Sequence, residues 1–252
     1  MRQRICAIFL ILAGTAAAFG AELSFSAGAG GSLGGFFSRY TLSADGMVDG
    51  NQIKVDAGQE HNQLDYGFFG FIDATYAEFS FSYQRGSNTW TETFTVAGLD
   101  ASLFPSASSK GWETVLGFSL LGKYPFQLNE QFSVFPLLGV EYQISLMQRR
   151  ARASDGWVYD RANGLWEMDK DGNAYSLRDW NSFWIKLGGG IDVTLFNNIF
   201  LRGELLYGFR TMTPYEIKNL DRTKSLSGDP NPKLGGVTNG PSLRISAGYR
   251  FN

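Results

Sequence analysis

The stretch Phe183-Trp184-Ile185-Lys186-Leu187-Gly188-Gly189-Gly190-Ile191-Asp192-Val193-Thr194 decides the fold of this chain. Phe183, Ile185, Leu187, Gly189, Ile191 and Val193 occupy one phase, and Lys186, Gly188, Gly190, Asp192 and Thr194 the other. A period of two belongs to a β-strand with unlike faces, because successive side chains leave the pleat on opposite sides. A strand crossing a membrane in a barrel turns its aliphatic face to lipid and its polar face to the lumen. An Asn197-Asn198 turn closes the stretch.

The pattern recurs in both directions along the chain. Leu201, Leu205, Tyr207 and Phe209 alternate with Arg202, Glu204 and Arg210, and Leu243, Ile245, Ala247, Tyr249 and Phe251 with Ser242, Arg244, Ser246, Gly248 and Arg250. Upstream, Phe132, Val134, Leu138, Val140, Tyr142, Ile144 and Leu146 oppose Ser133, Gly139, Glu141, Gln143 and Ser145. Trp112, Leu116, Phe118, Leu120 and Tyr124 oppose Glu113, Gly117, Ser119 and Lys123, before a short turn marked by Pro125 and Asn129. Phe79, Phe81 and Tyr83 alternate with Glu78, Ser80, Ser82 and Gln84. In Leu64 to Tyr76 the even positions are apolar, and Phe69 and Phe71 interrupt the polar phase. The first strand, within Leu23 to Leu42, is rich in glycine and its register is open.

Eight such segments joined alternately by short and long gaps predict an all-β fold. The expected form is an eight-stranded antiparallel up-and-down transmembrane β-barrel with short periplasmic turns and long extracellular loops. The long loops are expected at roughly 43–62, 86–111, 147–180 and 211–240. A soluble sandwich or lipocalin also alternates, but its apolar face is a core. The membrane reading is favoured because Tyr76, Tyr124, Phe126, Phe196, Tyr249 and Phe251 gather near the short turns, as an interfacial girdle does.

Arg2 and Arg4 precede an apolar run, Ile5 to Ala18, that ends in Ala18-Phe19-Gly20, the pattern of a secretory signal peptide cleaved after Gly20. The run is shorter than the ~20 residues a membrane-spanning helix needs. The expected organisation is therefore a signal peptide over 1–20 and one barrel domain over 21–252, located in the outer membrane. The single cysteine, Cys6, falls inside the leader, which leaves no disulfide or thiol chemistry. Losing Arg2 and Arg4 takes the 22 basic residues to 20 against 24 acidic, a balance that argues against a nucleic-acid partner.

These features together resemble the small outer-membrane barrels of the OmpA, OmpX, OmpW and opacity type. Three phrases look more narrowly like spirochaete (treponemal) outer-membrane barrels: Gly67-Phe68-Phe69-Gly70-Phe71-Ile72-Asp73-Ala74-Thr75-Tyr76, Leu121-Gly122-Lys123-Tyr124-Pro125-Phe126 and Pro136-Leu137-Leu138-Gly139-Val140-Glu141-Tyr142. The resemblance covers essentially the whole chain after the leader. It implies outer-membrane lipid as surroundings and the barrel assembly machinery as a partner in biogenesis, read through the terminal aromatic strand. It spans porin-like proteins, adhesins, anchors and a few enzymes, so it specifies the fold and not the function.

The inward phase carries the candidate site. Glu141, Lys186, Glu204 and Arg244 are expected at comparable mid-barrel depth on four consecutive strands with alternating sign, as a salt-bridge plug or as a gate lining a narrow pore. Glu113, Lys123, Asp192 and Arg202 are further lumen candidates. Trp157, Tyr159, Trp166 and Tyr175 fall in the arginine-bearing loop 147–180, where Asp171-Gly172 signals a hairpin turn and the exposed aromatic residues suit either interfacial anchoring or a partner-contact surface. Asp169, Asp171 and Asn173 do not make a calcium loop, because glycine falls at the fourth position and Trp180 stands where the closing glutamate belongs. The one histidine, His61, lies in the first long loop with Glu60 and Asp65 near it, and no spacing singles out a catalytic triad. The expectation is a non-enzymatic protein without cofactor or metal: a narrow porin-like channel for small solutes, or else a closed scaffold whose loops bind host or partner ligands. A lipid A-modifying enzyme is the remote alternative.

Overall fold

The computed structural model describes residues 24–48, 51–97, 107–152, 156–157, 159–160, 165–166, 177–211, 213 and 233–251. Eight long strands make up most of it. They are β1 (Phe25–Val48), β2 (Asn51–Ala74), β3 (Ala77–Val96) and β4 (Ala107–Lys123), then β5 (Phe132–Arg152), β6 (Ser182–Phe196), β7 (Ile199–Arg210) and β8 (Lys233–Phe251). Each pairs antiparallel with its neighbours in sequence, and β1 pairs with β8, so the sheet closes into a ring. The glycine-rich first strand takes its register from both sides, with Phe25 opposite Ala74 on β2 and Phe251 on β8.

The stagger of the ring can be followed through its partners. Gly28 leads to Phe71, Ser80, Ser119, Glu141, Trp184, Arg210 and Thr238, and returns to β1 at Ser38, ten residues further on. Eight strands with that stagger tilt by about 40° and enclose a backbone cylinder about 8 Å in radius, a width that side chains fill.

The wall has an apolar exterior throughout its lower part. Phe68 is 73% exposed, and Leu64, Ile72, Leu138, Leu205 and Ile245 are similarly bare, whereas Ser80, Ser119, Glu141 and Arg244 are buried inside. A water-soluble barrel has the opposite arrangement, and an apolar surface of this extent belongs in lipid. On β1 the outward apolar positions run from Phe25 to Phe37, a belt about 30 Å tall along the tilted strand. Its lower edge is the aromatic girdle, with Tyr124 in ring contact with Tyr76 at 5.7 Å and with Phe126 at 5.0 Å, and Tyr249 against Phe251 at 5.4 Å. The short connections, Thr75–Tyr76, Tyr124–Gln131 and Asn197–Asn198, all lie on this side.

The first two expected long loops are largely strand, and strand ends enter the other two. The β1–β2 ladder continues to Val48 opposite Asn51, β3 to Val96 and β5 to Arg152, while β8 begins at Lys233. Apolar alternation fades where the wall leaves lipid, and a reading that follows hydrophobicity ends the strand there. Backbone pairing does not depend on lipid, and threonines such as Thr89, Thr91, Thr93 and Thr95 on β3 suit an exposed strand. In the expected loop 147–180, Gly156 and Trp157 pair with Ala151 and Arg150, and Tyr159–Asp160 with Trp166–Leu165. The leader, Tyr175 and the Asp171-Gly172 turn lie outside the described residues, as do the side chains of Trp157, Tyr159 and Trp166.

Phe69 and Phe71, which interrupt the polar phase of β2, point into the lumen and pack with Phe200 of β7. The Phe71 and Phe200 rings fill the space that a Cβ would need at Gly28 and Gly248, coming within 2.5 and 2.4 Å of it. Gly248→Ala should therefore overpack the lumen and destabilise the barrel by about 1–3 kcal/mol, read as a lower urea midpoint in detergent micelles.

Candidate functional site: the lumen

Local alternation puts the polar side chains inside, and the stagger decides which of them meet. The lower node is Arg202 of β7. Its Nε and Nη2 donate to Asp192 of β6 at 2.7 and 2.9 Å, Nη2 to Asp73 of β2 at 2.7 Å, and Nη1 to Glu78 of β3 at 2.8 Å. The guanidinium also lies 4.6 Å from the Phe71 ring centre and about as far from those of Phe135 and Phe200. Lys123 of β4 donates to Asp73, and Arg250 of β8 lies 3.6 Å from Asp192. One planar cation thus gathers carboxylates from three strands, a geometry that a lysine point charge does not reproduce.

The upper node is Glu141 of β5. Its Oε2 accepts from Lys186 Nζ of β6 at 2.7 Å, from Ser119 Oγ of β4 at 2.7 Å and from Arg244 Nη2 of β8 at 3.1 Å, while Oε1 accepts from Gln143 at 2.7 Å. Arg244 also donates to Ser80 Oγ at 3.2 Å and lies 5.1 Å from the Phe69 ring centre. Glu78 and Glu204 join the nodes: each lies 3.8 Å from Arg244 Nη1, and Glu204 is 4.0 Å from Arg202 Nη1. Neither carboxylate oxygen of Glu204 accepts a hydrogen bond among the described residues. Arg202 and Arg244 are only 2% and 1% exposed, so the network crosses the lumen away from bulk water.

Above the upper node, Asp65, Gln84, Gln143 and Lys186 border a polar cavity of about 30 Å³, room for a water molecule. A lid of aromatic rings closes over it. His61 of β2 stacks on Trp90 of β3 at 3.5 Å and meets the edge of Phe36 at 4.8 Å; Trp184 and Trp180 extend the cluster, at 5.7 Å from Phe36 and 5.6 Å from Trp90. Trp184 Nε1 is held by Gln143 Oε1 at 2.9 Å and Ser182 Oγ at 3.0 Å. Trp184→Phe keeps an aromatic ring but loses the five-membered half of the indole and both bonds, and should cost about 1–3 kcal/mol in the same unfolding assay.

All eight lumen candidates from the sequence are on the inner face, and Glu141, Lys186, Glu204 and Arg244 do meet. Arg202, Asp192 and Lys123 form the second node, and Glu113 is buried on β4. Asp73 and Glu78 were missing from that set although both flank the first short turn in the inward phase, which was the available signal. The lid was also missed, and His61 needs correction: it is no solvated loop residue but a buried strand residue, 3% exposed. The ladder carries it inward beyond the lipid belt, where no hydrophobic alternation marks a strand.

No protein-family model and no curated protein matches the sequence. Among solved structures, the chain is similar to the outer membrane protein OprG from Pseudomonas aeruginosa, with 17% identity over 89% of this chain and 97% of that one and a TM-score of 0.39. It is also similar to Neisserial surface protein A, with 15% identity over 88% and 97% and a TM-score of 0.30. The attachment invasion locus protein Ail of Yersinia pestis gives 12% identity over 89% and 99% and a TM-score of 0.25. Likeness at these scores carries no argument; the architecture rests on the registers and the apolar wall described above.

Proposed function

We propose that the chain is an outer-membrane barrel, closed in its resting form, that acts as a rigid scaffold for the strands and loops beyond the membrane. The observation that carries this reading is the filled lumen, with Arg202 and Arg244 buried among carboxylates between a phenylalanine layer and an aromatic lid. Above the belt stands the β1–β2 extension, with Arg39 beside Glu60 at 3.6 Å, and residues 147–180 of the sequence carry Trp157, Tyr159, Trp166 and Tyr175. The proposed role is contact with host or partner ligands through this surface, with export by the leader and insertion by the barrel assembly machinery.

Planar-bilayer recording of the refolded barrel tests it, once a shift of the electrophoretic band on boiling has verified folding. A silent bilayer is expected. Discrete current steps would overturn the scaffold reading in favour of a narrow channel selective through Glu141, Lys186, Glu204 and Arg244. That second reading draws on the polar cavity beneath the aromatic lid. Deleting about residues 155–175 should leave the band shift intact and abolish ligand contact. Relation to treponemal barrels is proposed on the three sequence phrases alone.

A further inference from the structure

The lipid-facing wall is not uniformly convex. Between β1 and β8 the ladder pairs Gly34 with Ser242 and resumes at Phe37 with Asn239, and the four residues between, Gly35, Phe36, Gly240 and Pro241, pair with β2 or β7 but not across this seam. Proline has no N–H to give, and glycine leaves no side chain over the gap. Outside this gap lies an apolar groove of about 530 Å³, floored by Gly35 and Pro241 and walled by Leu33, Phe37, Leu64 and Leu243. Its upper end is polar, at Asn62, Ser87 and Thr89. A second apolar groove, about 790 Å³, continues toward the short-turn rim over Gly189 and Gly203, and the two share Leu205 and Leu243.

We propose that this groove is a binding site for a membrane lipid, with an acyl chain seated over the β1–β8 seam and the headgroup at Asn62, Ser87 and Thr89. The inference rests only on the wall facing lipid, and holds whether or not the lumen conducts. The groove lies within the belt, where acyl chains are the solvent, and its apolar length ending in amides and hydroxyls matches an amphiphile whose head stays at the interface. Its size is that of ordinary ligand sites, ~300–1,000 Å³. A second copy of the barrel is the wrong shape, because its convex wall cannot reach a recessed floor of glycine and proline. The recess at Gly203 is not imposed by backbone crowding: a Cβ there would meet its nearest neighbour, Ile191, at an ordinary 3.7 Å. On the inner side of the same residues is the polar cavity beneath the lid, bordered by Gly34, Gly35, Gly240 and Pro241. A seated chain therefore covers the wall where the sheet's own hydrogen bonds are interrupted.

Native mass spectrometry of the full chain, released from nanodiscs of dimyristoyl phosphatidylcholine, tests the site. The unsubstituted barrel should retain one lipid. Leu243→Trp and Gly203→Leu, which fill the groove at two points, should each reduce that occupancy at least tenfold. Gly122→Leu is the control, since it fills an exposed outward glycine on β4, with its Cβ 3.5 Å from the nearest atom, and should retain the lipid. Equal occupancy in all four proteins, no retained lipid in the unsubstituted barrel, or a dimer in place of the lipid adduct would each overturn the proposal. Amide exchange gives an independent readout: among Gly35, Phe36 and Gly240, the amides that face the seam should exchange about tenfold more slowly with lipid retained than after delipidation, and unchanged rates would count against a sealing role. Bilayer conductance is not used, so failure here stays separate from failure of the scaffold reading.

Discussion

Arg202→Ala is expected to cost about 3–5 kcal/mol, more than the overpacking or hydrogen-bond substitutions above, because it leaves buried carboxylates without their cation. Asp73, Glu78 and Asp192 all bond to this one guanidinium, and after its removal Lys123 and Arg250 remain for two of them while Glu78, among the described residues, keeps only Arg244 at 3.8 Å. The measurement is urea unfolding in detergent, followed by tryptophan fluorescence and by the heat-dependent band shift. Arg202→Lys should recover only part of the loss, since an ammonium cannot fork to three carboxylates at once. Adding Glu78→Gln to Arg202→Ala should restore part of the stability, because Glu78 is the carboxylate left farthest from a cation and the cost lies in uncompensated charge. If the double variant is no better than Arg202→Ala, packing of the guanidinium against the Phe71, Phe135 and Phe200 rings is the dominant contribution instead.

The second large effect is expected at Glu141. Glu141→Ala removes the one carboxylate within salt-bridge distance of Lys186 among the described residues and leaves Arg244 with partners at 3.8 Å. A loss of about 3–5 kcal/mol should follow, with Glu141→Gln milder because an amide oxygen still accepts from Ser119 and Lys186. Glu141→Ala combined with Lys186→Met should regain most of the stability, since both members of the pair are then gone. Under the scaffold reading each of these variants lowers the unfolding midpoint and stays electrically silent, for the aromatic lid and the phenylalanine layer still close the lumen. Current steps in Glu141→Ala, with the band shift preserved, would make this pair a gate.

How much could be read in advance follows from the range of each interaction. Phe183, Ile185 and Leu187 declare their face within five residues, so strand phase, lumen side and apolar wall were legible, as were Glu141, Lys186, Glu204 and Arg244 as inner charges. Strand length was not, because above the belt the hydrophobic contrast disappears while the ladder continues, and this misplaced His61. Register at β1 was not either: Gly28, Gly30 and Gly34 offer no side-chain pattern, and only pairing with β2 and β8 fixes them.

The sequence by itself determined that this chain crosses a membrane as alternating strands with charges inside, because side-chain alternation is a local consequence of the pleat. Tertiary structure alone decided that Arg202 meets Asp73 and Glu78, 129 and 124 residues away, and that the lid and the outer groove exist. Those contacts depend on the ten-residue stagger of the closed ring, which sets the height at which inward side chains face one another across a lumen only a few side chains wide. That stagger is a property of all eight registers together, and no single segment carries it.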